Sequence, residues 1–81
     1  MTPAQIIRNA MRDMSQVELA RRSGFTPKHI CEVLSGAAPV RWRLALALEY
    51  VLKVSPNALI RAQTAIDLRK ARRARRQYGE K

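Results

Sequence analysis

The chain has 81 residues, so we expect one domain with one small core. Apolar residues make up 47% of it, so wholesale disorder is excluded. Sixteen Lys and Arg face six Asp and Glu, and the net charge of +10 favours a polyanionic partner such as nucleic acid.

Cysteine usage and hydropathy indicate a reducing compartment. Cys31 is the single cysteine, so an internal disulfide is excluded. The first residues lack the apolar core of a signal peptide, and the longest apolar run, residues 44–48, is far shorter than a membrane span. We therefore expect a cytoplasmic protein with no membrane partner.

Three helix starts are predicted in the first half of the chain, because capping residues precede apolar residues at helical spacing. The segment 2–5 (TPAQ) is a capping box with a proline at the first helical position. A second capping box, 15–18 (SQVE), opens a short helix that meets Gly24. The pair 26–27 (TP) opens a third helix, and 35–36 (SG) closes it.

Two further helices are predicted after this point, the fourth starting near Val40 or Arg41 and the fifth at Ser55. Trp42 is expected to be a packing residue of the fourth helix. The apolar stripes are Leu44, Leu48, Val51 and Leu52 in the fourth helix and Leu59, Ile60, Ile66 and Leu68 in the fifth. No strand alternation is present, so we predict an all-α fold, a compact bundle of five helices crossing at steep angles.

The C-terminal residues differ in charge from the rest of the chain. Seven basic residues and one acid give residues 69–81 a net charge of +6, against +4 for residues 1–68. Arg69, Arg72, Arg73 and Arg76 would share one helical face. We therefore predict a domain at residues 1–68 and an arginine-rich helical extension at residues 69–81 that binds phosphate or a narrow minor groove. The alternative is that this extension completes the dimer interface, with Ala71, Ala74 and Tyr78 packing against a partner.

Residues 16–36 predict a helix-turn-helix, because two short capped helices flank a turn at Gly24. Gly24 is suited to a left-handed backbone conformation that a side chain would penalise. Ala20 must be small, since the second helix of the pair crosses close to it. The wedge between the two helices is predicted to hold Leu19, Phe25, Ile30 and Val33.

Two sets of residues carry a resemblance to known families. The first set is Gln16, Leu19, Ala20, Gly24, Thr26, Ile30, Val33 and Gly36, and with it the chain resembles the Cro/repressor (XRE) class of helix-turn-helix regulators. The second set is Ala45 with Leu48, Ser55 with Pro56, and Leu59, Gln63, Asp67 and Leu68. It is similar to the A-x-x-L, S-P and L-x-x-x-Q-x-x-x-D-L patterns of HigA-type antitoxins.

The resemblance covers residues 14–68 and implies a lambda-repressor-like DNA-binding domain from a bacterium or its phage. Arg41 and Trp42 replace the family's Thr-Pro, and the basic tail lies outside the match.

The resemblance also implies which side chains contact DNA. The third helix of this class lies in the major groove, and its base-reading positions correspond to Pro27, Lys28 and Glu32. Lys28 is suited to guanine and Glu32 to the cytosine amine, whereas Pro27 offers an apolar contact. Residues expected at phosphates are Gln16, Thr26, Ser35, Arg41 and Arg43.

Simpler roles compete with some of these assignments. Lys28 and Glu32 are spaced to form a solvated ion pair with each other. His29 is expected to be a surface residue near DNA, Cys31 an inert thiol, and residues 21–22 a solvated face. One His and one Cys do not make a zinc site.

The sequence predicts a DNA-binding protein and no enzyme. It shows no paired carboxylates, no nucleophile beside a base and no glycine-rich phosphate loop, and it implies no cofactor or metal. The function expected is a sequence-specific transcriptional repressor that binds a palindromic operator as a homodimer, using apolar residues of the fifth helix. Such a repressor is either an autoregulating HigA-like antitoxin with a cognate toxin or a phage Cro or immunity repressor. A toxin-neutralising interaction module and a sequence-independent architectural DNA binder are the alternatives.

Overall fold

Five helices joined by short turns make up the fold, which confirms the predicted all-α class. The structure, a computed structural model, describes the backbone of residues 1–77 and the side chains of residues 1–75. The helices are α1 (Pro3–Met11), α2 (Gln16–Ser23), α3 (Pro27–Ser35), α4 (Trp42–Leu52) and α5 (Pro56–Gln77). None of the helices in this part of the chain has the length and apolar character needed to span a membrane.

The first three helices begin where their capping residues predict. The Thr2 hydroxyl accepts from the Gln5 N–H, and the Gln5 side chain accepts from the Thr2 N–H, which completes the first capping box. The hydroxyls of Ser15 and Thr26 each accept a backbone N–H three residues later, at 3.1 Å. These short-range bonds fix where each helix enters the bundle.

Glycine ends both helices of the helix-turn-helix. Gly24 and Gly36 have φ values of +81° and +87°, in the left-handed region where a side chain is strained. The Gly24 N–H donates to the Ala20 carbonyl, so the last turn of α2 is closed. The turn between α2 and α3 therefore has the geometry predicted from the sequence.

A single core lies where all five helices meet. The largest side chains that are fully buried in it are those of Ile7, Leu19, Ile30, Val40, Leu44, Leu48 and Leu59. Phe25 lies half-buried against this core. Ile30, Val33 and Leu34 are the buried residues of α3, which confirms its predicted inward face.

Replacing Ala20 by Leu is expected to destabilise the fold. Ala20 is 1% exposed in α2, the helix that packs most extensively against α3. Extra methylenes at this crossing must displace α3, at a cost of about 1–3 kcal/mol in the free energy of unfolding. Chemical denaturation measures this cost, with Val17→Leu on the exposed side of α2 as the control. A variant that loses DNA binding with wild-type stability would contradict this mechanism.

Two long-range hydrogen bonds hold α3 and the following turn. The guanidinium of Arg8 in α1 donates to the Leu34 carbonyl at the end of α3, at 3.4 Å. In the turn between α3 and α4, the Val40 N–H donates to the buried side chain of Gln63 in α5, at 3.0 Å. The end of α3 is thereby tied to α1, and the turn before α4 is tied to α5.

Three sequence predictions about side chains are wrong. Trp42 was expected to pack but is 62% exposed, because α4 turns Leu44 and Leu48 toward the core instead. Leu68 lies beyond the part of α5 that meets the core and is 48% exposed. Glu18 does not complete the second capping box, since its carboxylate binds Arg21 and Arg22.

Candidate nucleic-acid interface

The outward face of α3 presents the predicted base-reading residues together. Pro27 and Lys28 are exposed in its first turn, and Glu32 is half-buried one turn later. Lys28 and Glu32 were also candidates for an ion pair with each other, but no ion pair joins these two described residues. Both side chains therefore keep their donor or acceptor groups for another partner.

Hydroxyls at the N-termini of α2 and α3 suit an anion. The Thr26 oxygen accepts the His29 N–H, and a hydroxyl that accepts in this way still has a proton to donate. Ser15 makes the equivalent cap on α2 and is exposed, so it has the same capacity. Sequence reasoning treated Ser15 as a cap alone. The half-buried Gln16 follows it at the first position of α2, where the helix dipole favours negative charge.

The C-terminus of α3 is closed by its own backbone and by Ser35. The Glu32 carbonyl accepts from the Ala37 N–H at 2.8 Å and from the Ser35 hydroxyl at 3.0 Å. Ser35 can therefore donate to a phosphate only if its hydroxyl gives up the hydrogen bond to the Glu32 carbonyl. The carboxylate of Glu32 takes no part in these bonds, which are made by its backbone.

His29 is partly exposed at the start of α3 and also has a packing contact. Its ring is half-buried and stacks on Phe25 with centroids 5.3 Å apart, because the two residues are four apart across the start of α3. It therefore braces the turn between α2 and α3. Cys31 is exposed on the outward side of α3 as a free thiol.

Arg41, the N-cap residue of α4, is held near α5 by a chain of polar contacts. The Gln63 side chain, 8% exposed, accepts from Val40 and donates to the Asp67 carboxylate at 3.0 Å. The other oxygen of that carboxylate lies 3.9 Å from the Arg41 guanidinium. The Arg41 side chain makes no capping hydrogen bond on α4. Its exposed guanidinium lies beside the Asp67 carboxylate instead. Sequence reasoning matched Gln63 and Asp67 to a family pattern but gave them no role.

Arg43 occupies a different environment from Arg41. Its guanidinium carbon lies 5.3 Å from the centre of the exposed Trp42 ring, within the range of a cation–π contact. Arg41 and Arg43 flank Trp42 in the sequence. Arg41 lies beside Asp67 of α5, whereas Arg43 lies beside the ring of Trp42.

Residues 21–22 lie exposed, as the sequence predicted, and their charges are partly paired with Glu18. Hydrogen bonds from Arg21 and then Arg22 lower the pKa of the Glu18 carboxyl. The same contact raises the pKa of Arg21. Both arginines remain mostly exposed, and Arg22 lines a surface groove with Tyr50, Val51 and Lys53 at the end of α4.

The basic end of α5 continues the helix without a break at residue 69. Arg69, Arg72 and Arg73 line a surface groove together with Ala65 and Leu68, so three of the four predicted arginines share one face. The backbone of the fourth, Arg76, belongs to α5, and its side chain lies outside the described residues. α5 spans 22 residues, and the molecule measures 48 × 23 × 19 Å.

Comparisons with solved structures place the fold among antitoxins. The antitoxin GraA is 29% identical, with a TM-score of 0.80 over 93% of this chain and 84% of that one. A protein assigned as an antidote of a plasmid maintenance system from Nostoc punctiforme PCC 73102 is 22% identical, with a TM-score of 0.84 over 99% of this chain and 90% of that one. An addiction module antidote protein of the HigA family from Coxiella burnetii is 22% identical, with a TM-score of 0.81 over the same shares. No family model matches the sequence, and no curated protein does.

Proposed function

We propose that this protein is a sequence-specific double-stranded DNA-binding repressor that acts as the antitoxin of a toxin–antitoxin pair and represses its own operon. The observation that carries the proposal is the fold-wide similarity to antitoxin GraA at 29% identity, combined with the outward face of α3, where no ion pair joins Lys28 and Glu32. No enzyme activity is proposed.

In the proposed complex, α3 lies in the major groove. Lys28 donates to guanine, Glu32 accepts from the cytosine amine, and Pro27 makes apolar contact with a base edge. Phosphates are bound at the N-termini of α2 and α3 and by Arg41. The residues assigned to phosphate are Ser15, Gln16, Thr26 and Arg41, with Ser35 joining after its hydroxyl changes partner. Arg43 is also assigned to phosphate, since its guanidinium is exposed beside the Trp42 ring.

The antitoxin assignment is favoured over a phage Cro or immunity repressor. Each of the three solved structures described above is an antitoxin or antidote, and each matches more than nine-tenths of this chain. The proposal therefore includes a cognate toxin partner in addition to operator DNA. A protein that only covers a toxin is disfavoured, because covering a toxin does not require a net charge of +10, whereas this charge favours binding to DNA.

Binding to DNA from upstream of its own gene tests this function. Fluorescence anisotropy at fixed salt is expected to show that this duplex binds at least about a thousandfold more tightly than a shuffled duplex of equal length. A specific repressor requires this ratio, since competing genomic sites are numerous. Equal affinity for the two duplexes would identify an architectural binder and overturn the proposal.

A further inference from the structure

A carboxylate lies beside Arg41, the arginine assigned to phosphate at the start of α4. The Asp67 carboxylate of α5 is 3.9 Å from the Arg41 guanidinium, measured between Oδ2 and Nη1. The Arg41 side chain is 69% exposed and the Asp67 side chain 46% exposed, so DNA has access to both groups. A phosphate that approaches Arg41 therefore meets a negative charge that is already beside the guanidinium.

Asp67 is held in place from the interior of the bundle. The Gln63 side chain, one helical turn earlier in α5, donates to the other carboxylate oxygen. Gln63 is itself buried and accepts from the Val40 N–H. Val40 is buried and directly precedes Arg41, so the same chain of contacts fixes the backbone where Arg41 begins α4. The part of this arrangement that is free to move is the long side chain of Arg41.

The contact between Arg41 and Asp67 is an ionic contact and not a hydrogen bond. Its separation of 3.9 Å exceeds the range of about 2.7–3.2 Å for an N–H···O bond. A phosphate oxygen is able to approach the guanidinium to hydrogen-bonding distance, and charge-assisted hydrogen bonds of this type are stronger than neutral ones. Exposed ion pairs contribute little to stability by comparison. Asp67 is therefore a partner of Arg41 that a phosphate is able to replace.

We propose that Asp67 is an internal competitor of operator phosphate for Arg41. On binding, the guanidinium leaves the Asp67 carboxylate and donates to a phosphate oxygen. The carboxylate keeps its hydrogen bond from Gln63, so it is not left without a donor. The inference rests on the proposed function, in which Arg41 binds phosphate, and adds the residue that limits the strength of this contact. Asp67 thereby lowers the affinity for all duplexes alike, because phosphate contacts carry no base information.

A purely structural role for Asp67 predicts the opposite effect on DNA binding. If the carboxylate served only to hold Arg41 in its binding position, its removal would release the side chain and weaken binding. If the carboxylate competes with phosphate, its removal strengthens binding. Asp67→Asn separates the two roles, because the Asn side-chain oxygen still accepts from Gln63 while the charge is lost.

Anisotropy titrations of the full-length protein with the shuffled duplex test the inference. Asp67→Asn is expected to bind about twofold to fivefold more tightly than wild type, which corresponds to the contribution of an exposed ion pair. Asp67→Glu keeps the negative charge and should show no such gain. Because the expected effect is an increase in affinity, a loss of folding cannot produce it. Binding by Asp67→Asn that equals or falls below that of wild type would overturn the inference.

The gain must also depend on Arg41. Arg41→Gln leaves the start of α4 intact, since the Arg41 side chain makes no cap there. Alone, it is expected to lower the slope of log affinity against log salt by about 0.9, the effect of one lost phosphate contact. The gain from Asp67→Asn should be at least about twofold smaller in the Arg41→Gln background than with Arg41 present. An unchanged slope, or the same gain in both backgrounds, would overturn the inference.

Asp13→Asn is the matched control for the loss of one negative charge. Asp13 is exposed in the turn after α1, outside the proposed interface. Any gain from Asp13→Asn should be the same with Arg41 and in the Arg41→Gln background, because this carboxylate has no contact with Arg41 to lose. A gain from Asp13→Asn that depends on Arg41 as strongly as the gain from Asp67→Asn would count against a specific role for Asp67. These titrations use the shuffled duplex alone, so their failure is distinct from a failure of the proposed function, which requires preference for the upstream duplex.

Discussion

Neutralising the basic end of α5 is expected to weaken specific and non-specific DNA binding together and to flatten their salt dependence. Arg69, Arg72 and Arg73 share one groove, in a region where residues 69–77 include no acid. Each phosphate neutralised on duplex DNA contributes about 0.9 to the slope of log affinity against log salt. Replacing Arg69 and Arg73 by Gln should therefore lower the slope by about 1.8. Replacing Arg72 and Arg76 by Gln as well should lower it by about 3.6 in total.

A matched pair of substitutions separates this effect from a loss of net charge. Arg12 and Arg61 are exposed and have no proposed contact with DNA. Arg12→Gln with Arg61→Gln removes the same charge as the Arg69 and Arg73 pair and should change the slope much less. The preferred DNA sequence should be the same in every variant, because phosphate contacts carry no base information. Equal slopes for the two pairs would show that this end of α5 does not lie on DNA.

Substitutions in α3 are expected to change sequence preference as well as affinity. Lys28→Ala and Glu32→Ala should each cost about 1–3 kcal/mol on the preferred site and relax base preference at one position in each half-site. The fold should be unaffected, since Lys28 is exposed and Glu32 closes the end of α3 through its carbonyl and not its carboxylate. Competition binding against singly substituted duplexes measures both quantities.

Each of these variants has a control with the same change in charge. Arg61→Ala corresponds to Lys28→Ala, and Asp13→Ala corresponds to Glu32→Ala, at exposed positions outside the proposed interface. The controls should shift overall affinity slightly and leave base preference intact. If Lys28→Ala and Glu32→Ala both keep the parent's preference, the reading face has been assigned to the wrong residues.

Local signals in the sequence were sufficient to predict the helices. Capping hydroxyls at residues 2, 15, 26 and 55 act within three residues along the chain, so their effect does not depend on the rest of the fold. Gly24 and Gly36 end helices through their own backbone conformation. The exposed and buried sides of α3 followed from its periodicity for the same reason.

Features that depend on competition or on distant residues could not be predicted. Periodicity correctly placed Leu44 and Leu48 on the buried side of α4, but it did not reveal that Trp42 on the same helix lies exposed. The Glu18 carboxylate could either complete the cap of α2 or bind arginines one turn later. In the structure it binds Arg21 and Arg22. The contact of Gln63 with Val40 spans 23 residues, so no local pattern revealed that it fixes the turn before Arg41.

Selection of bound duplexes from a random pool tests most directly whether α3 reads a palindromic operator. The wild-type protein is expected to enrich an inverted repeat whose half-sites lie about one helical turn, 10–10.5 base pairs, apart. The mass of the complex on the enriched duplex should correspond to two chains. Enrichment of no common sequence, or of a non-repetitive site occupied by one chain, would contradict the account.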